Sequence, residues 1–138
     1  MSPKDILKNH GLKFTPNREL ILGVFINNKH ALSYNNLEAL LAKKLDRVTV
    51  YRTLKSFEES GIIHQIHDGS SQIKYALCHG GTCSSHQHSD SHAHFRCEEC
   101  DKTFCLEEIA IPEIKLPAGY KKESQSVFIQ GVCEVCNQ

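Results

Sequence analysis

The 138-residue sequence contains no long apolar run: the longest, "LILGVFI" at residues 20–26, is far below the roughly 20 residues that span a bilayer. A membrane helix is therefore excluded, and no membrane partner is expected. No basic segment followed by an apolar stretch opens the chain, so no secretory signal is expected. Net charge is absent as well, with 16 Lys+Arg against 16 Asp+Glu. Cysteine is missing from residues 1–77, and all seven cysteines follow. A cytoplasmic protein is expected, in which thiols stay reduced and cysteine spacing speaks for metal rather than disulfides.

The zero net charge conceals an asymmetry. Residues 1–61 hold ten Lys/Arg and six Asp/Glu, net +4, whereas residues 62–138 hold six and ten, net −4. Seven of the nine histidines share the acidic part with the cysteines. The front can meet a polyanion, and the back can collect cations.

Helix signals crowd the front. "SPKDILKNHG" offers Ser2 as N-cap, Pro3 at the first helical position and Gly11 for the left-handed exit. "TPNRELILGVFINN" repeats the device with Thr15 and Pro16. A third helix runs from Ser33, with Leu37, Leu40, Leu41 and Leu45 as an apolar stripe. The fourth lies in "LDRVTVYRTLKSFEESG": Asp46 or Thr49 can cap it, Val50, Leu54 and Phe57 line one face, and Gly61 ends it. Then "IIHQIHDGSSQIKYAL" reads as a hairpin around Asp68-Gly69-Ser70-Ser71. Short helices followed by a hairpin predict a winged helix-turn-helix, whose second paired helix enters the major groove of double-stranded DNA.

Residues 78–94 are rich in Gly, Ser and His without periodicity, which predicts a connection. Beyond them "HFRCEEC" and "KTFCLEE" read as strands around a knuckle, "AIPEIKLPAG" is broken by Pro112 and Pro117, and "YKKESQSVFIQGVCEVC" is a strand ending in cysteines. This part is too small to bury much core alone, so it is expected to lean on zinc and on a second copy of itself. The organisation expected is a winged-helix domain at 1–78, a hinge and His-rich loop at 79–93, and a metal-binding dimerisation domain at 94–138.

Cys97-x-x-Cys100 and Cys133-x-x-Cys136 supply four thiolates, the number a closed tetrahedral Zn2+ site needs. A dithiol redox pair is the rival, but no thioredoxin-like unit surrounds either pair. His92 and His94 precede Cys97; on an extended strand they face one side and both can bind one ion. Taken alone, such a pair in a polar loop is more often solvated than ligated, and its candidate partners are His64, His67 and Cys78 on the hairpin.

"GLKFTPNRELIL", "RVTVYRTLKSFEESGII", "HAHFRCEEC" and "GVCEVC", in this order, resemble the ferric uptake regulator family of metal-dependent repressors, over nearly the whole chain. The resemblance implies an α+β fold: an N-terminal winged helix-turn-helix, a hinge and a small C-terminal α/β dimerisation domain. A structural zinc on four cysteines and a regulatory metal at the hinge are implied too. The zinc uptake regulators are the nearest branch. Where iron sensors use a glutamate leaving the wing, this chain has Ala76; Cys78 and His64 match zinc-sensor ligand positions. Cys105 stands where peroxide sensors carry an aspartate, and Ser91 and Ala93 occupy the positions of an accessory site.

The regulatory ligands implied are therefore His64, Cys78, His92 and His94, with His67, His86, His88 and Cys105 as open replacements. A thiolate/imidazole set suits Zn2+, while Fe2+ sites usually include carboxylates. On DNA, Lys13 is implied for the minor groove, Tyr51 for a thymine methyl, and Arg52, Thr49 and Arg18 for phosphates or base edges; packing in the bundle is the rival role for Tyr51. The expected function is a homodimeric, zinc-responsive repressor of zinc uptake genes. An iron- or peroxide-sensing regulator, with Fe2+ at the regulatory site, is the alternative. A zinc hydrolase would need an open coordination position and a general base; four protein ligands and no evident base make the chain no enzyme.

Overall fold

Capping residues set where the front helices begin. The computed structural model describes residues 2–69, 71–78, 92–123, 125 and 127–138. Ser2 accepts from the Asp5 N–H at the start of α1 (Pro3–Asn9), and Thr15 accepts from the Arg18 N–H at the start of α2 (Pro16–Asn27). Proline at the head of each helix costs nothing, because that N–H has no intrahelical acceptor.

A two-residue strand, β1 (Leu32–Ser33), was not expected; it runs directly into α3 (Tyr34–Leu41), where Ser33 and Asn36 form a reciprocal capping box. The helix stops at Ala42 in left-handed conformation, φ 51°. It is therefore shorter than the leucine stripe suggested. Leu37 and Leu41 are buried, Leu40 is half exposed, and Leu45 packs on the core from beyond the helix. Asp46 precedes α4 (Arg47–Glu59) without a side-chain bond to the backbone; its carboxylate accepts the Thr49 hydroxyl instead.

The hairpin is β2 (Ile63–Ile66) and β3 (Lys74–Leu77), and β1 adds to it in the order β1-β3-β2, all antiparallel. Leu7, Ile21, Leu22, Phe25, Leu37, Leu54, Phe57 and Ile63 close one core beneath the helices and this sheet. Three more strands form the second sheet: β4 (His92–Cys97), β5 (Thr103–Ala110) and β6 (Phe128–Gly131), in the order β5-β4-β6. β5 is antiparallel and β6 parallel to β4. Among the described residues, this second part holds strands and no helix. The class is α+β, a winged helix followed by a small sheet domain.

The two parts touch along one seam. The Ala31 N–H donates to the Thr103 carbonyl at 2.7 Å, and Cys105 packs on the buried trio Ala31, Ile66 and Ala76. Phe57 lies wholly inside the helical core. Phe57→Ala should lower unfolding free energy by about 3–5 kcal/mol, read from urea denaturation followed by helical circular dichroism.

Candidate metal centres and nucleic-acid face

The two Cys-x-x-Cys pairs meet although 32 residues separate them in the chain. Parallel pairing of β4 with β6 sets Cys97 opposite Gly131, which brings the turn at Cys133 beneath the knuckle at 97–100. One sulfur or another of Cys97, Cys100, Cys133 and Cys136 lies within 4.8 Å of each of the rest. The Cys100 and Cys133 N–H groups point at Cys97 Sγ, at 3.5 and 3.4 Å. Those two donors hold the Cys97 thiol down to about 6. Bonding to Cys133 and burial push Cys136 up to about 12. Four thiols this close cannot all ionise unless a cation shares their charge, and a closed all-sulfur set is what Zn2+ favours.

A second cluster spans the seam. His64 on β2 and His94 on β4 are both buried, with ring centroids 5.9 Å apart. Cys105 sits directly across from His94 in the β4/β5 ladder, so the two share a face of the sheet. His64, His94 and Cys105 offer ligand atoms within 4.8 Å of one another. The Phe128 ring, stacked on His94 at 5.3 Å, walls one side. Ala76 stands across from His64 and brings no carboxylate to the site.

Of the four regulatory ligands expected, the structure brings His64 and His94 together and adds Cys105. Cys78 lies on the opposite edge of the imidazole: its sulfur is 3.4 Å from His64 Nδ1, while Cys105 Sγ is 4.0 Å from Nε2. The lone pairs of the two ring nitrogens diverge, so one ion cannot use both. Cys78 is also disulfide-bonded here and so is no thiolate in this state. The His92 side chain lies outside the described residues. The ladder shifts register between His92 and Ala93, with the extra residues 107–109 on β5. His67 is exposed; His86 and His88 fall outside the described residues. The signal for Cys105 was its two-residue offset from Thr103 on a strand facing His94, visible only once the ladder register is known.

The remaining expected residues gather on the front domain. Arg18 Nη1 donates to the Lys13 carbonyl at 2.6 Å, which couples these two cations. Tyr51 and Arg52 project from α4 into solvent, Tyr51 with 49% of its surface exposed, so Tyr51 is not packed in the bundle core. Its ring stacks on Tyr34, 4.5 Å between centroids and 2° from parallel. Arg47 lies over the Tyr34 ring, 5.5 Å from its centroid, and its bond to Tyr34 raises the guanidinium pKa. Tyr34 and Arg47 were not foreseen, because stacking between two helices leaves no periodic trace. A cleft of about 320 Å³ between α4 and the wing is lined by Tyr34, Tyr51, Ile73 and Tyr75. Thr49 is tied to Asp46 and only partly accessible.

A winged helix joined to a sheet that carries two pairs of knuckle cysteines and a separate His/Cys cluster fits a metal-dependent regulator of transcription. The chain belongs to the ferric uptake regulator family, whose family model matches residues 9–128. A ferric uptake regulation protein of Staphylococcus epidermidis is 30% identical over 139 residues, covering 96% of this chain and 92% of the relative. The ferric uptake regulator of Francisella tularensis with iron superimposes with a TM-score of 0.60 at 26% identity, covering 93% and 96% of the two chains. A zinc uptake regulator complexed with zinc and DNA has a TM-score of 0.62 at 23% identity, covering 97% and 89%, and shares the fold.

The sulfur chemistry yields a signed expectation. Zinc on the four cysteines should be held at neutral pH and released as pH falls, because each sulfur binds the ion only as a thiolate and protons compete for it. Cys133→Ser should retain less zinc at every pH and lose the folded second sheet. Chelator-accessible zinc against pH, with native mass spectrometry, checks both.

Proposed function

We propose that this chain is a zinc-responsive repressor that binds operator DNA as a homodimer and controls zinc uptake genes in the cytoplasm. The observation that carries the reading is the set of buried His64 and His94 with part-buried Cys105, which joins the wing to the second sheet and contains no carboxylate. Imidazole and thiolate suit Zn2+ over Fe2+. The fourth ligand comes from His92, or from Cys78 once it is reduced and its side chain has turned from the Nδ1 edge of His64 to the Nε2 side. Cys97, Cys100, Cys133 and Cys136 hold the structural zinc. The division into 1–78, 79–93 and 94–138 follows from this assignment of roles.

A bound cation supplies the positive centre that imidazole and thiolate share. The mechanics belong to the protein: His64 moves with the wing, and His94 and Cys105 move with the sheet. Drawing all three to one point fixes the wing, and with it α4, at the separation two half-sites require. A second copy has a surface to join, since Ile114, Leu116, Tyr120, Phe128, Ile129 and Val135 of the second part are all exposed in the single chain. On DNA, Tyr51 meets a thymine methyl, Lys13 the minor groove, and Arg52, Thr49 and Arg18 phosphates or base edges.

An iron-sensing reading is favoured by relatives that are ferric uptake regulation proteins at 29–30% identity. Cys105→Ala and His94→Ala decide between them. Bound zinc should drop from two per chain toward one, with zinc-dependent operator binding lost and the four-cysteine metal kept. If both variants still respond to zinc, the ligand assignment is wrong; if only Fe2+ restores operator binding to the wild type, the iron reading stands. For the DNA face, Arg52→Ala should cost about 1–3 kcal/mol of operator affinity with metal content unchanged. Equal affinity in a fluorescence anisotropy titration would remove α4 as the reading element.

A further inference from the structure

Lys74 is a charged residue that should not be buried without compensation, yet its side chain is only 5% exposed. Its ammonium has three donors, and the structure supplies an acceptor for each. Asp68 Oδ2 lies at 2.8 Å, the Asp101 carbonyl at 2.6 Å and Thr103 Oγ1 at 3.1 Å. The Asp68 carboxylate is fully buried and also accepts the Thr103 hydroxyl, at 2.5 Å.

The members come from both sides of the seam. Asp68 and Lys74 belong to the wing hairpin; Asp101, in the turn before β5, and Thr103, on β5, belong to the second part. Asp101 follows the Cys97–Cys100 knuckle directly, with φ 60°, and Arg96 Nε holds its carboxylate at 2.9 Å. That left-handed turn is what aims its carbonyl at Lys74.

Thr103 and Cys105 are two apart on β5, so they stand on one face. His64 and Ile66 are likewise two apart on β2, and Ile66 is paired with Lys74. Along the seam, then, the clasp comes first, the apolar contact of Ile66, Ala31 and Ala76 with Cys105 second, and the His64–His94–Cys105 cluster third.

We propose that Asp68, Lys74 and Thr103 are positioning residues for the second metal site: a clasp, independent of that metal, that holds the wing on β5 and sets His64 facing His94 and Cys105. The proposal rests on the reading of that cluster as a metal site. Two ligands on one sheet and one on another make a weak site if the two bodies move freely, because ordering them opposes binding. A buried, fully bonded ion pair removes that motion beforehand. It also links the two metal centres mechanically, since the knuckle that presents the Asp101 carbonyl is built on Cys97 and Cys100.

The test uses full-length protein with its four-cysteine metal in place and titrates Zn2+ into the second site against a competing chelator. In parallel, amide exchange is followed at Ala31, whose N–H crosses the seam to Thr103. Lys74→Met strands the buried carboxylate. Thr103→Val is the milder change, removing one donor and one acceptor at nearly constant shape. Both should weaken second-site zinc affinity, Lys74→Met by about tenfold or more and Thr103→Val by less. Both should speed Ala31 exchange before any second zinc is added, leaving the Leu54 and Phe57 amides of the helical core as slow as in wild type.

Faster Ala31 exchange with unchanged zinc affinity would overturn the proposal, as would unchanged exchange. Cys105→Ala separates the two layers. If it weakens second-site binding while the clasp variants do not, the clasp role fails and the metal site stands. If Cys105→Ala binds a second zinc as wild type does, the site reading fails and the clasp role with it.

Discussion

The seam between wing and β5 is the contact on which the rest of this structure depends. The front domain is self-sufficient, with a dozen buried apolar side chains around Phe57 and Leu37. The second part is not: its described buried residues are Ala93, His94, Cys97, Thr103 and Cys133, too little apolar surface to offset the chain entropy of ordering three strands. Its order must come from elsewhere. The four-cysteine centre ties β4 to the C-terminal turn, and the exposed apolar side chains of the second part await a partner. Thr103 and Cys105 lean on the wing.

That arrangement explains why polar groups occupy an interface that apolar residues could fill more cheaply. A buried ion pair is weak evidence for stability, because replacing it by packed hydrophobes is often neutral or better. It is directional, however, and Lys74 finds its acceptors in only one relative pose of hairpin and knuckle. The His64–His94–Cys105 cluster has the same property, since its ligand atoms converge only when wing and sheet are in register. Two directional contacts flank an apolar one, which is what a seam requires if it must be both closable and specific in pose.

Much of this was legible in the chain. Ser2-Pro3 and Thr15-Pro16 mark helix starts through local hydrogen bonding, and the two Cys-x-x-Cys pairs mark a metal site through ligand count and spacing. The rest depended on distance in the chain. β1 is two residues long and exists because β3 offers it an edge. Leu40 sat in a helical stripe, but α3 turns Leu37 and Leu41 to the core and leaves Leu40 half exposed. Cys105 joined the cluster through its pairing with His94. Lys74 and Asp68 looked like ordinary hairpin charges, since nothing within six residues of either predicts Thr103 or Asp101 as partner. Cys78 was expected as a thiolate ligand; the fold sets it on the far edge of His64 and in a disulfide.

The chemistry of the second cluster therefore turns on Cys105 and two imidazoles, and the regulatory reading turns on whether filling that cluster changes the grip on DNA. The most direct measurement is a titration of wild-type protein, beginning with one zinc per chain on the four cysteines, in which operator affinity and bound zinc are recorded together as free Zn2+ rises. The account predicts weak operator binding at one zinc per chain and a steep gain in affinity as the second equivalent binds. Full operator affinity at one zinc per chain, unchanged when the second is taken up, would contradict it.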